Sequence, residues 1–318
     1  MSDNTSATTM NLPPVDVVGL GLNAMDYITV VPEFPRPDSK VSISEIRLEP
    51  GGQVATALVV CRRLGLDVRY VGSVGSDALG QAQLASLESE GVPTDHVRVV
   101  PGATTQLAIA IVEEDVGERT ILWHRDPLLI YPEALVTPHL VGSARLLHLD
   151  GRDSRAALCA ARLARKAGIP VMVDIDKRYD DSTEELLSLV DYLIAAESFA
   201  LEFTSSRTGP DAVLALAECF PQAVTGVTLG ARGAIFVQEG HALHSHAFDV
   251  PVRDTTGAGD VFHGAFIFGV LSGWDLAETI RFSHATAAIK CGQLGARTGI
   301  PRLSEIREFL ETARERND

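Results

Sequence analysis

At 318 residues the chain is too long for one minimal core and too short for a string of modules, and at roughly 100–200 residues per domain it predicts one large α/β domain. Apolar residues make up 46% and charged residues 22%, ordinary globular usage that excludes disorder for the bulk of the chain. The 27 Lys and Arg against 42 Asp and Glu leave a net charge of −15, and a surface that negative repels nucleic acid and anionic membrane.

The polar stretch 1–13 carries no basic residue and no apolar run, and reads as a disordered tail rather than a signal peptide or anchor. One domain is expected over 14–318. Residues 15–19 read as a strand. Residues 53–64 read as a helix, with Ala55, Leu58, Val59 and Leu64 on one stripe and Gly65 as its stop. A strand at 68–72 precedes a helix at 77–90, opened by Asp77 as N-cap and closed by Gly91. Further strands are predicted at 146–149, 171–173, 193–195 and 223–229, with helical patterns at 154–166 and 183–190 in the first two intervals. Residues 260–314 read as mostly helical, interrupted by a Gly-rich turn at 292–299. Such alternation calls for a mainly parallel sheet with helices on both faces.

Two segments break the rhythm. Residues 28–48 and 104–124 carry strand-like runs with no helix between them. The second contains a hairpin, 106–113 and 119–123, turned by Asp115-Val116-Gly117. Segments of about 27–50 and 104–125 are therefore expected to form a separate small β-sheet, a lid over a ligand site or a clasp joining a homodimer. Cys61, Cys159, Cys219 and Cys291 are scattered, with no spacing suited to zinc or a disulfide framework. No apolar run approaches the roughly 20 residues that span a bilayer. The expectation is a cytoplasmic protein with small-molecule partners, no nucleic acid and no membrane.

One motif misleads. Gly19-Leu20-Gly21-Leu22-Asn23-Ala24 follows a strand and fits the dinucleotide fingerprint, which needs a helix next to seat a pyrophosphate. The chain runs on instead through Tyr27-Ile28-Thr29-Val30-Val31-Pro32, β-branched and closed by proline, which argues against a helix. The glycines serve to let the chain turn tightly at a strand end, and Asp26 then projects beyond the carboxyl edge, where open α/β sheets place ligands.

The chemistry concentrates in Asp254-Thr255-Thr256-Gly257-Ala258-Gly259-Asp260, which opens an apolar helix. Three small residues at a positive helix end make an anion cradle of unobstructed N–H groups. Asp260, in the first turn, is placed to take a proton from a hydroxyl attacking a phosphoryl group.

This run, continuing Val261-Phe262-His263-Gly264-Ala265-Phe266, resembles the C-terminal signature of ribokinase-like (PfkB-type) carbohydrate kinases. Gly51-Gly52-Gln53-Val54-Ala55-Thr56-Ala57 and Val71-Gly72-Ser73-Val74-Gly75-Ser76-Asp77-Ala78-Leu79-Gly80 resemble the N-terminal signature. The similarity runs from about residue 15 to 309. Within the family, 147–152, 260–266 and 297–301 look most like the ketohexokinase and sulfofructose kinase branches.

The resemblance implies a three-layer α/β/α fold with a β lid, and transfer of the ATP γ-phosphoryl group to a hydroxyl, the primary one, of a ketose-like sugar. It implies Asp260 as base and Gly257, Ala258 and Gly259 as anion hole. Asp26, Gly51, Gly52, Gln53 and Arg152 would meet the sugar. Thr228, Gly230 and Gly233, in a T-x-G-x-x-G pattern, would lie along ATP. Asp174-Ile175-Asp176-Lys177-Arg178 resembles the family's D-x-N-x-R beside the triphosphate, implicating Asp176 and Arg178, with Lys177 as the other available cation. Gln53 and Thr56 stand where the family often has asparagines. Of its N-x-x-E, tied to magnesium, only Glu197 remains. A monovalent cation such as potassium beside the anion hole would fall to Asp254, Thr256 and Gly295.

The remaining candidates divide. His241, His244 and His246 flank a short strand without an accompanying carboxylate, and His263 reads as packing against the core. Arg152 either meets an anionic group on the substrate or pairs with Asp150. Two other functions stay open: a nucleoside (adenosine-like) kinase stacking its base on Tyr27, Phe34 or Trp123, and a non-catalytic sugar sensor, which would be expected to have lost Asp260 or the glycines.

Overall fold

In the computed structural model, which describes residues 12–115, 117 and 119–313, the βα alternation builds a nine-stranded sheet and the two interruptions build a four-stranded one. The chain opens with β1 (Val15–Leu20), β2 (Ala24–Val31), β3 (Glu45–Gly51) and helix α1 (Gln53–Arg63). Next come β4 (Val68–Gly75), α2 (Ala78–Ser89), β5 (Val97–Val100) and the hairpin β6 (Leu107–Glu113) and β7 (Arg119–His124). Helix α3 (Pro138–Gly142) leads into β8 (Ala144–Leu149), α4 (Ser154–Ala167), β9 (Val171–Ile175), α5 (Thr183–Leu187) and β10 (Tyr192–Ala196). Helices α6 (Glu197–Thr204) and α7 (Gly209–Cys219) precede β11 (Val224–Thr228), β12 (Ala234–Gln238) and β13 (His241–Ser245). Three helices close the described chain: α8 (Ala258–Ser272), α9 (Leu276–Cys291) and α10 (Leu303–Thr312).

Strands β1, β4, β5 and β8 to β11 are parallel, and β12 and β13 add an antiparallel edge. Successive side chains leave a strand on opposite faces. Leu147, Val171 and Val173 therefore join one core with α3 to α7, while Leu146 and Met172 join another with α1, α8, α9 and α10. Buried on both sides, these strands read as continuous apolar runs, which is why pattern reading located them. The predicted 223–229 strand shortens to Val224–Thr228, and the helix predicted at 183–190 stops at Leu187. Helices α6 and α7 fill the interval for which no helix was expected. For α7 the signal was local: Thr208 accepts from the Asp211 amide as N-cap, with proline in the first turn.

The sheet order is β13-β12-β11-β10-β9-β8-β1-β4-β5. From β1 the chain winds outward through β4 and β5, and from β8 it winds the other way. The reversal opens a crevice beyond the carboxyl ends of β1 and β8. The lid sheet, ordered β3-β2-β6-β7, stands over that end. Its inner face carries a small core of Ile28, Val30, Ala110 and Val112 with Leu294. Of the tail expected over 1–13, residues 1–11 lie outside the described residues; Leu12 packs on the core and the Pro13 carbonyl accepts from Arg69. Of the predicted Asp115-Val116-Gly117 turn, Val116 lies outside them too.

Candidate active site

One cavity of about 1100 Å³ opens between the lid, the crevice and the start of α8, more room than the roughly 300–1,000 Å³ of a single small-molecule pocket. At its centre lies the helix start. Gly257 caps α8 in a left-handed conformation (φ 76°), and a Cβ there would come within 2.7 Å of Ala296 Cβ. A Cβ at Gly259 would meet nothing within 4 Å. Gly257, Ala258 and Gly259 all line the cavity, the Ala258 amide donating to the Thr255 carbonyl at 3.1 Å, and Asp260 follows in the first turn. His263, 2% exposed, sits one turn on; its Nδ1 lies 2.7 Å from the Gly259 carbonyl, which can only accept. It packs and braces the loop.

On the lid side, Asp26 lines the cavity from β2. Gly51 is where the fold makes room for it, since a Cβ would lie 2.1 Å from Asp26 Oδ2. Gly52 (φ 95°) could not carry a side chain either, being packed on the Asn23 backbone. Gln53 lines the cavity but hydrogen-bonds Asp174 across it. The false fingerprint resolves here: Gly21 admits the Asp150 carboxylate, 2.4 Å from where its Cβ would be, and the chain continues as strand β2. Asp150 accepts from the amides of Leu22 at 2.6 Å and Arg152 at 2.8 Å. Its bond to Arg152 is to the backbone, so the guanidinium is free to lie over Trp123 (4.4 Å) and Tyr179 (5.1 Å), with the Lys177 ammonium beside them.

At the other end, Leu229 N donates to the Gly233 carbonyl at 2.7 Å, closing the T-x-G-x-x-G turn. Thr228, Gly230 and Gly233 line the cavity there, facing apolar groups such as Val250, Val252 and Ala288. Asp176 also lines it, and Lys177, not Arg178, is the cation of that strand end. Arg178 turns outward to Asp181 at 3.4 Å, the chain having left the strand and bent at Asp176 and Lys177. Glu197 likewise does not reach the cavity lining; it is ion-paired with Arg232 at the start of α6.

Of the positions expected to hold a monovalent cation, Asp254 accepts hydrogen bonds on its carbonyl and on both carboxylate oxygens. Asp254 Oδ1 accepts from the Thr256 amide and Oδ2 from the Gly295 amide, each at 2.8 Å. Its carbonyl accepts from Lys290 Nζ at 2.9 Å. His244 and His246 have ring centroids 4.3 Å apart, but no group of three or more metal-ligating side chains occurs among the described residues.

Sequence reading passed over several residues. Arg297, 3% exposed, donates to the Gly51 carbonyl at 2.7 Å and holds the Gly-Gly turn. Arg119, on β7, donates to Thr255 Oγ1 at 2.7 Å and ties the lid to the anion loop. Gln106 lines the cavity with its Oε1 buried and unpartnered. Lys290 was the sole charge in the apolar run 285–292, a detectable signal, since such residues are almost never fully buried without a partner.

The electrostatics follow from crowding. Burial raises the Asp260 carboxyl to about 6, with Asp176 adding to it and Arg119 and Lys290 opposing. Burial raises Asp26 to about 7, reinforced by Asp260 and opposed by Arg297. Asp174 is raised by burial and then by Asp260. So many carboxylates around one cavity leave the space between them short of positive charge, the condition under which a cation arriving with a ligand is drawn in.

A family model for pfkB family carbohydrate kinases matches residues 15–303. The ribokinase of Haemophilus influenzae is 30% identical over 302 residues, covering 92% of this chain and 98% of that protein. Fructokinase-2 of Solanum habrochaites is 28% identical over 323 residues, covering 93% and 96%. The structure of Arabidopsis thaliana ribokinase complexed with ribose and ATP aligns with a TM-score of 0.80 at 25% identity, covering 95% of this chain and all of that one. Among the described residues, no helix is long and apolar enough to cross a membrane.

Proposed function

The chain belongs to the pfkB family of carbohydrate kinases, ATP-dependent enzymes acting on an alcohol group, and from that premise we propose that it phosphorylates the primary hydroxyl of a ketose-like sugar in the cytoplasm. The observation that carries the reading is the placement of Asp260 next to the small residues Gly257, Ala258 and Gly259, at a helix start in the middle of a cavity with two chemically different ends. The apolar end beside Thr228, Gly230 and Gly233 suits a nucleotide base and ribose. The polar end, with Asp26, Gly52, Gln106 and Arg152, suits a polyol.

Asp260 accepts the proton as the sugar hydroxyl attacks, and the loop amides hold the oxygens of the transferring group. Asp26 orients the sugar by hydrogen bonds, and Arg119 and Trp123 bring the lid over it, excluding water. Magnesium, when bound with ATP, neutralises the phosphates. Asp174 and Asp176, both lining the cavity, offer the hard oxygen donors that would hold it. Lys177 replaces Arg178 as the cation facing the triphosphate or the far end of the sugar.

A ketose accords with the fructokinase relative, as ribose does with the ribokinase relative, and a sugar is favoured over a nucleoside by the aromatics. Tyr27 lies on the outer lid face, Phe34 does not line the cavity, and Trp123 is covered by Arg152 and Lys177. The retained Asp260 and glycines speak against a sensor. A homodimer through the lid is supported by an exposed apolar row across its outer face, Leu48, Tyr27, Ile109 and Leu122 in register.

A coupled ADP-release assay with ATP and magnesium on fructose, sulfofructose, ribose, tagatose, 2-keto-3-deoxygluconate and adenosine tests this. Turnover on a ketose is expected. Turnover on adenosine alone would move the chain to the nucleoside kinases, and turnover on ribose alone would overturn the ketose assignment.

A further inference from the structure

Lys290 is fully buried in the last turn of α9, an unusual place for an ammonium group. Its surroundings are those of a charge put to use. It donates to the Asp254 carbonyl at 2.9 Å, at the residue that opens the anion loop. The negative end of α9 lies behind it, where a cation is favoured. The loop it touches is held at two further points, by Asp254 Oδ1 on the Thr256 amide and Oδ2 on the Gly295 amide. The chain entering the loop is itself tied to the same helix end, with the amides of Arg253 and Asp254 donating to the Cys291 carbonyl at 2.8 and 3.1 Å.

An alkali cation binds where oxygens replace its water shell. Here the Asp254 carbonyl already accepts from the Lys290 ammonium and each carboxylate oxygen accepts from an amide; a metal ion drawn to the same oxygens would lie against that ammonium, and like charges repel. Thr256 Oγ1 is buried without a partner, but one hydroxyl does not replace a hydration shell. The residues do not fit a potassium ion.

We propose that Lys290 is a built-in cation: its ammonium holds the anion-hole loop from below and supplies there the positive charge that a bound monovalent metal would otherwise supply, so that this kinase needs no potassium. It is a positioning residue, acting on the transferring phosphoryl group through the loop.

The test has one arm that depends on the kinase reading and one that does not. Wild-type protein is melted in buffers whose monovalent cation is either potassium or tetramethylammonium, at equal ionic strength. The same melting temperature in both is expected, and stabilisation by potassium would overturn the proposal whatever the enzyme's substrate. In the second arm, ADP release is followed with the sugar that the panel identifies. Wild-type turnover should be the same in either buffer. Lys290→Ala should lose about ten- to a hundredfold in kcat in tetramethylammonium, the range of a lost charge-assisted hydrogen bond, and regain part of it with potassium or ammonium. Lys290→Met, which keeps most of the volume, should show the loss without the rescue. A folded Lys290→Ala that is slowed and indifferent to every cation would reduce Lys290 to a structural role and overturn the proposal, as would wild-type activity that requires potassium.

Discussion

Every residue of β4 and β9 is buried, their side chains passing alternately under the two helical layers. By contrast β7, in the lid, is exposed along its whole length, and the lid puts four residues, Ile28, Val30, Ala110 and Val112, into a small core with Leu294. Asp260 and the glycine loop, the proposed base and anion hole, belong to the enclosed region, where Asp254 alone fixes the loop at three points. Asp26, Arg119 and Trp123 come from the lid and reach the site through a hydrogen-bonded ladder and a few latches. Geometry that must be exact during phosphoryl transfer is thus set in the region that packs most densely, and contacts that must open for the sugar are set in the one that packs least. Damage to the first should appear in kcat and damage to the second in KM.

The largest expected effect tests the enclosed side. Asp260→Asn should lower kcat by roughly 10²–10⁴-fold, the worth of a positioned base. Near-normal turnover would remove Asp260 from its role. The same variant carries a sign that can be checked on folding. Because burial raises the carboxyl to about 6, the native state holds the proton more tightly than the unfolded one. Its ionisation therefore costs stability as pH rises from the unfolded value through about 6, and the asparagine variant should melt higher than wild type near neutral pH, by roughly 2–4 °C per kcal/mol relieved. A lower melting temperature would contradict the assignment. In wild type, kcat/KM should fall about tenfold per pH unit below about 6 as the base is protonated.

Next in size is the seam between the regions. Gly51→Ala would push a methyl to 2.1 Å from Asp26 Oδ2, and should raise the sugar KM by about 10–100-fold, as expected for misplaced charge-assisted hydrogen bonds, with a smaller change in kcat. An unchanged KM would mean Asp26 does not hold the sugar. Arg152→Ala removes the guanidinium from Trp123 and Tyr179 and should cost about tenfold in KM, the scale of one desolvated cation contact. Steady-state kinetics on the panel sugar would show whether the loss falls on KM, as a lid-side contact requires. Smallest is Leu122→Glu on the outer lid face, which should convert a dimer to monomers by light scattering and leave kcat within about twofold, since surface substitutions are usually mild. A monomeric wild type would remove the lid interface.

Legibility in the sequence tracked locality. The parallel strands, the glycine loop and Asp260 were readable because each is announced by consecutive residues. Asp174 to Arg178 was found as a segment, yet which cation faces the cavity was not, since that turns on the direction of one side chain. Glu197 was misplaced for the same reason: its partner Arg232 lies 35 positions away. Gln106 left no local pattern, and Arg297 stood in the 297–301 stretch without a role being legible there. Arg297 matters because it meets the Gly51 carbonyl 246 residues earlier in the chain.

The alternation of elements, the glycine positions that must take left-handed or side-chain-free backbone, and the carboxylate at a positive helix end are written into the chain itself. They are decided within a few residues by sterics and hydrogen bonding. Tertiary contacts alone decided that Gly21 makes way for Asp150, that Lys177 rather than Arg178 lines the cavity, and that Lys290 meets the Asp254 carbonyl. Each of those depends on which distant groups share a buried volume, and burial sets whether a charge there is paired, displaced or put to work.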